Sequence, residues 1–130
     1  MTRVITGFSH VQLVVRDVAS SAEWYEAVLG LERFVSGTTD SGPYAGLRHP
    51  SAGFVVGMQT ATEEQRSRLP GASTDHLSFA VADRAALEQA RAGLAARGIE
   101  VGEVFEEAVS CNLRVRDPDG LVIELTAPKR

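Results

Sequence analysis

The stretch HVQLVVRD at residues 10–17 returns in the second half of the chain as HLSFAVAD at residues 76–83. Both copies begin with His, place apolar residues at alternate positions and end in Asp, with no gap between them. Alternation with a period of two is typical of a β-strand that buries one face. The chain therefore contains an internal repeat, and each copy begins with a strand.

A helical pattern follows each of these strands. Apolar residues recur at helical spacing over residues 19–29 and stop at Gly30, and the same pattern over residues 87–94 stops at Gly98. A Gly just past the last apolar residue is a common end of a helix, and the Asp that closes each repeated stretch is placed to cap its start. Each copy is predicted to continue from its first strand into one amphipathic helix.

The end of each copy predicts a β-hairpin, at residues 47–58 and 115–125, where Pro and Gly separate two alternating runs. The other strands are expected around residues 32–35, 44–47, 101–105 and 111–115. This element order predicts an α+β fold of two βαβββ modules that form a curved mixed-sheet cup.

The boundaries of the modules follow from the pattern. Module one spans about residues 5–59 and module two about residues 75–127, within a single domain of 130 residues. The segment between them, residues 60–74, is polar and contains Pro and Gly, so it is interpreted as a linker with a short helical turn near residues 63–69.

Composition narrows the classes of partner and compartment. The chain is 44% hydrophobic and 23% charged with a net charge of −4 and has no basic run, which argues against nucleic acid or an anionic membrane as partner. Its first ten residues lack the pattern of a signal peptide, so a cytoplasmic location is expected. The single Cys111 excludes an internal disulfide and a Cys-based zinc cluster. A metal site here would depend on His and carboxylate.

Strand alternation places three candidate metal ligands on one face. His10 and His76 lie opposite the large apolar side chains of their strands, and so does Glu124 in the last strand. A His at the start of a strand is also typical of a structural, hydrogen-bonded residue. A Glu on an inward face is more informative, because buried carboxylates are usually paired or bound to a metal. Two imidazoles and one carboxylate form a set suited to a divalent ion with open coordination positions.

These patterns resemble the vicinal oxygen chelate superfamily, which includes glyoxalase I, extradiol dioxygenases, fosfomycin-resistance thiol transferases and bleomycin-binding proteins. The resemblance covers nearly the whole chain. It depends on four motifs: FSHV at 8–11, AEWYEAVLGL at 22–31, DHL at 75–77 and RDPDGLVIEL at 116–125.

The resemblance implies that His10, His76 and Glu124 match the ligand positions of the family and hold one divalent ion, either Fe, Mn, Ni, Zn or Co. Glyoxalase I has a fourth ligand, a Glu in the last strand of module one, where this chain has Gly57. A set of three ligands is more similar to the ligand sets of the extradiol dioxygenases and the fosfomycin enzymes. Whether the set closes within one chain or across a dimer remains open.

Polar or small residues near the expected cup supply candidate contacts to a substrate. These residues are Gln12, Tyr44, Arg48, Gly57 and Asn112. Since Arg116 repeats Arg48 before the second hairpin turn, an Arg at this place is also explained as a feature of the fold. No residue is assigned as a catalytic acid or base.

Two functions follow from these expectations. The first is a metal-dependent enzyme of lyase, isomerase or oxygenase type, in which the ion chelates two neighbouring oxygens of a small organic substrate. The alternative is a binding protein that sequesters an antibiotic or metabolite without turnover. A homodimer is expected in either case, because the sheets have edges that need covering.

Overall fold

The structure is a computed structural model that describes residues 4–71 and 73–129. The chain divides into two compact units, one ending at Leu69 and the other beginning at Pro70. Both have the β-α-β-β-β order, so the predicted α+β fold class with two βαβββ modules is confirmed.

The first unit has a four-stranded sheet in the order β1-β4-β3-β2. Strands β1 and β4 are parallel, and the other neighbours are antiparallel. Its elements are β1 (His10–Val15), α1 (Val18–Leu29), β2 (Glu32–Thr39), β3 (Gly42–Arg48) and β4 (Val55–Thr60). A short helix, α2 (Glu63–Arg66), follows in the connecting segment.

The second unit repeats this arrangement with the order β5-β8-β7-β6. Strands β5 and β8 are parallel, and the others are antiparallel. Its elements are β5 (His76–Ala80), α3 (Arg84–Ala96), β6 (Phe105–Glu106), β7 (Ser110–Arg116) and β8 (Val122–Pro128).

The ends of the two long helices follow the local sequence. The Asp17 carboxylate accepts a hydrogen bond from the backbone N of Ser20 at 3.2 Å, and Asp83 accepts one from the backbone N of Ala86 at 2.9 Å. Gly30 ends α1 in the left-handed conformation, with φ of 69°, which a residue with a side chain rarely adopts. The predicted caps are confirmed.

The core of each unit lies between one face of its sheet and its long helix. In the first unit Tyr25 of α1 is fully buried, as are Leu47 and Met58 of the sheet. The second unit buries Leu87 of α3, with Leu113 and Ile123 of the sheet. Cys111 also belongs to the second core and is a buried free thiol. The opposite face of each sheet is left for polar residues.

Strand β6 is shorter than the sequence predicts. A strand was expected over residues 101–105, but β6 contains only Phe105–Glu106, and Val101 makes an isolated bridge to Val115. Uninterrupted pairing from that bridge would place Phe105 opposite Cys111, yet Phe105 pairs with Asn112. The register slips by one residue in between, as in a β-bulge, and residues 102–104 lie outside the strand.

None of the helices within residues 4–71 and 73–129 is both long enough and apolar enough to cross a bilayer.

Candidate metal and ligand site

His76 and Glu124 meet on the polar face of the second unit. Parallel pairing of β5 and β8 sets Ser78 directly beside Glu124 and leaves His76 two residues away on the same face. The small Ser78 leaves room for the two longer side chains to converge. Nε2 of His76 lies 3.7 Å from Oε1 of Glu124. The structure thus brings together two of the three predicted metal ligands.

Glu124 is 5% exposed and is held by several donors. Arg114 donates from Nε to Oε2 at 2.7 Å, and Thr126 donates from its hydroxyl to Oε1 at 3.0 Å. Ser78 makes a longer contact of 3.5 Å to Oε1. Burial by itself raises the pKa of the Glu124 carboxyl, but the hydrogen bonds from Arg114 and Thr126, with the charges of His76 and Arg114, outweigh it and lower that pKa below its usual value. Glu124 is therefore a carboxylate at neutral pH.

The carboxylate of Asp75 fixes the orientation of His76 from behind. Nδ1 of His76 lies 2.7 Å from Oδ2 of Asp75, and this contact lowers the pKa of the Asp75 carboxyl. Since a carboxylate only accepts hydrogen bonds, Nδ1 carries the proton. In the neutral imidazole Nε2 then presents its lone pair to Glu124. Two such acceptors facing each other are suited to a shared cation, either a proton on Nε2 or a metal ion.

The donor atoms fit a divalent ion. Two ligand atoms at usual bond lengths from one ion lie roughly 3.0–3.4 Å apart for bond angles between octahedral and tetrahedral values. The 3.7 Å between Nε2 and Oε1 needs only a small side-chain adjustment to reach this range. A carboxylate behind the ligating imidazole, as Asp75 is here, is the usual outer partner of a metal-bound His.

The third predicted ligand, His10, lies in the first unit. It is exposed at the start of β1, and its Nδ1 lies 3.0 Å from Oγ of Ser9. Within the described residues, no three His, Cys, Asp or Glu side chains form a group that could hold a metal ion. The assignment of His10 thus stays a prediction.

The corresponding position in the first unit carries no carboxylate. Parallel pairing of β1 and β4 sets Gln12 beside Gly57, where the second unit has Ser78 beside Glu124. A Cβ added to Gly57 would overlap the Gln12 carboxamide. The large and small residues have exchanged strands, so Gln12 fills the space that a carboxylate side chain takes in the other unit.

The other predicted ligand contacts have varied surroundings. Nε2 of Gln12 donates to Oε1 of Gln59 at 3.1 Å, and the Tyr44 ring packs against Gly37. The guanidinium of Arg48 lies 5.5 Å from the centre of the Phe34 ring, in a cation–π contact.

Asn112 is the buried member of this predicted set. Its Nδ2 donates to Glu107 at 3.1 Å, while its buried Oδ1 has no hydrogen-bond partner among the described residues. Such an acceptor is suited to a donor from a ligand or water.

Sequence reasoning missed Arg114, Asp75 and Thr126. The sequence did contain a signal for Arg114. The turn at residues 117–120 pairs Arg116 with Val122, and counting away from the turn along both strands places Arg114 opposite Glu124. Asp75 directly precedes His76 and required only that their side chains turn toward each other.

Comparisons with known proteins agree with this fold. The family model described as the Glyoxalase/Bleomycin resistance protein/Dioxygenase superfamily matches residues 7–125. A glyoxylase/bleomycin resistance protein/dioxygenase domain from Frankia sp. EAN1pec is 28% identical with a TM-score of 0.82, covering 97% of this chain and 100% of that one. A search of curated proteins gives no significant match.

Two more distant structures show the same fold. An antibiotic binding protein from Streptomyces sp. CB03234 is 19% identical with a TM-score of 0.80, covering 98% of this chain and all of that one. A lactoylglutathione lyase from Agrobacterium tumefaciens is 20% identical with a TM-score of 0.74, and the match covers 95% of each chain. With a family model that spans most of its length, the chain belongs to the Glyoxalase/Bleomycin resistance protein/Dioxygenase superfamily.

Proposed function

We propose that this protein is a divalent-metal-dependent vicinal oxygen chelate enzyme acting on a small organic substrate, with His10, His76 and Glu124 as metal ligands. The observation that carries the proposal is the pair of acceptor atoms, Nε2 of His76 and Oε1 of Glu124, which face each other at 3.7 Å. His10 is the third ligand, supplied by the same chain or by a second copy. The ion is Fe, Mn, Ni, Zn or Co.

The neighbours of the pair prepare it for this role. Asp75 favours the tautomer of His76 with the proton on Nδ1, in which Nε2 would be available to hold an ion. Arg114 donates to Oε2 of Glu124 and Thr126 donates to Oε1, so the carboxylate is held with Oε1 toward His76. When bound, the ion supplies Lewis-acid chemistry that stabilises negative charge on two neighbouring substrate oxygens. Three protein ligands leave room in the coordination sphere for those oxygens.

The experiment combines metal analysis with activity. Protein purified anaerobically is expected to hold about one divalent ion per site, and turnover of a substrate from a screened panel should stop after chelation and return with the ion. Glu124→Gln and His76→Ala should lose the ion. His49→Asn is the matched control, because His49 lies in a turn, where its Nδ1 accepts from the backbone N of Ala52 at 2.9 Å.

The proposal is wrong if Glu124→Gln and His76→Ala bind metal as the wild type does. Metal loss in His49→Asn equal to that in His76→Ala would also contradict it, since the effect would then come from general damage and not from ligation.

A second candidate is a binding protein that sequesters a small molecule without turnover. The observation in its favour is the ion pair between Arg114 and Glu124 at 2.7 Å, which supplies a positive charge to the buried carboxylate from within the protein. The structural likeness to an antibiotic binding protein is compatible with this function. Stoichiometric binding that a chelator does not alter, with no product formed, would support it over the enzyme.

A further inference from the structure

A groove of about 500 Å³ lies in the second unit. It is bordered by the segment that follows α3 and by strands β7 and β8. Its apolar lining comes from Ile99, Val101, Val115 and Val122. Its wall is apolar and polar in similar parts, and a concave site of this size that combines the two is able to hold a small molecule.

Two arginines give the groove its polar character. Arg114 and Arg116 alternate along β7, so both side chains lie on the face that carries Glu124, and both border the groove. The charge of Arg114 is balanced by Glu124, to which it donates at 2.7 Å. Arg116 donates from Nη1 to the backbone O of Gly120 at 3.0 Å. Within residues 4–71 and 73–129, no carboxylate forms an ion pair with Arg116.

One acidic residue, Glu100, also borders the groove. It is exposed, and in the described part of the chain it forms no ion pair with either arginine. Arg116 is exposed as well, and within the described residues its guanidinium is the cation of the groove that forms no ion pair with a carboxylate.

We infer that this groove binds a small organic carboxylate with an apolar body. The planar guanidinium of Arg116 keeps donors beyond the one used for Gly120, and this geometry matches the two oxygens of a carboxylate. The apolar body then covers Val101 and Val122. Because Arg114 connects the groove to Glu124, the bound acid is the substrate class of the site proposed above, and this reading rests on that proposed function.

The anion-binding step can be measured without metal, so its failure is distinct from a failure of the metal site. The probes are 4-phenylbutyrate and its neutral amide, titrated into chelator-treated protein and followed by ¹⁵N chemical shifts. The acid should bind with roughly tenfold higher affinity than the amide, since hydrogen bonds to a charged group are stronger than neutral ones. The largest shifts should occur at Gly102 and Val115, which border the groove.

Substitutions then locate the charge. Arg116→Gln should remove most of the preference for the acid, while Arg33→Gln, with the same change in net charge but at a surface pair with Glu26, should keep it. Because Arg116 also contacts the turn at Gly120, Ile99→Glu provides a second variant, which should weaken binding of the acid more than of the amide. Equal affinities for acid and amide, or a preference unchanged in both groove variants, would overturn the inference.

Discussion

Glu124 is the residue at which the two halves of the repeat differ most in chemistry. It is buried on the polar face with His76 at one oxygen and Arg114 at the other, whereas its counterpart is Gly57. Strand alternation in the sequence was sufficient to place His76 and Glu124 on one face. It did not reveal Arg114, because a contact between strands depends on the register set by the intervening turn.

The carboxylate of Asp75 should strengthen metal binding without touching the ion. Asp75→Asn removes the acceptor charge behind His76 and should weaken metal affinity roughly 10–100-fold, the usual effect of losing such a partner. Calorimetric titration with Zn²⁺ would measure this. Asp40→Asn, in the exposed turn between β2 and β3, is the control and should bind as the wild type does. An unchanged affinity in Asp75→Asn would show that Asp75 does not orient the ligand.

The exchange of large and small residues between the units gives a second prediction. Gly57→Glu should lower the free energy of unfolding by about 1–3 kcal/mol, because the new side chain overlaps Gln12 in a packed sheet. Adding Gln12→Ser recreates the pair found at Ser78 and Glu124 and should recover most of the loss. Urea unfolding of the two single variants and the double variant measures the coupling. Additive losses would show that Gln12 is not what excludes a side chain at Gly57.

Among the elements, the helices follow the local sequence more closely than the last edge strand does. Asp17 and Asp83 cap the helices as their positions indicate, because capping depends on residues three apart. Strand β6 is shorter than expected, and the pairing with β7 slips by one residue between Val101 and Phe105. The residue types of Val101 and Phe105 do not indicate this slip, because Val and Phe are both common in continuous strands.

The pairing of β7 with β8 predicts how stability depends on pH. Burial raises the pKa of the Glu124 carboxyl, but its hydrogen bonds outweigh burial. The pKa of Glu124 in the folded chain is therefore lower than the unfolded value of about 4.3. Its contribution is therefore complete above that value and is lost as the pH falls through the folded pKa. In metal-free protein, the difference in unfolding free energy between wild type and Glu124→Gln should shrink on acidification. Denaturant unfolding between neutral and acidic pH measures it, and a difference that grows in acid would contradict the sign.

For the whole molecule, the repeat predicted the βαβββ order of both units, and the family match agrees with it. The sequence did not predict the substrate, because substrate binding depends on side chains brought together from separate strands. Arg114 and Glu124, for example, are neighbours only through pairing of β7 with β8.

Assembly is the remaining prediction for the molecule. Strand β2 lies at the edge of its sheet, with Phe34 and Val35 exposed at 48% and 43%. An edge strand with exposed apolar residues favours pairing with another chain, so we expect a homodimer. Light scattering over a dilution series should give twice the chain mass at micromolar concentration. A monomer mass throughout that series would reject the dimer.

The metal site itself is tested most directly by anomalous diffraction from crystals of the protein loaded with Mn²⁺ or Zn²⁺. We predict one strong anomalous peak, from an ion bound to Nε2 of His76 and Oε1 of Glu124. Nδ1 of His76 should still contact Asp75, and His10 should be the third protein ligand. Glu124→Gln crystals prepared in the same way should lack the peak. A loaded wild-type crystal with no peak between His76 and Glu124, or with the ion bound elsewhere, would contradict the metal-dependent function.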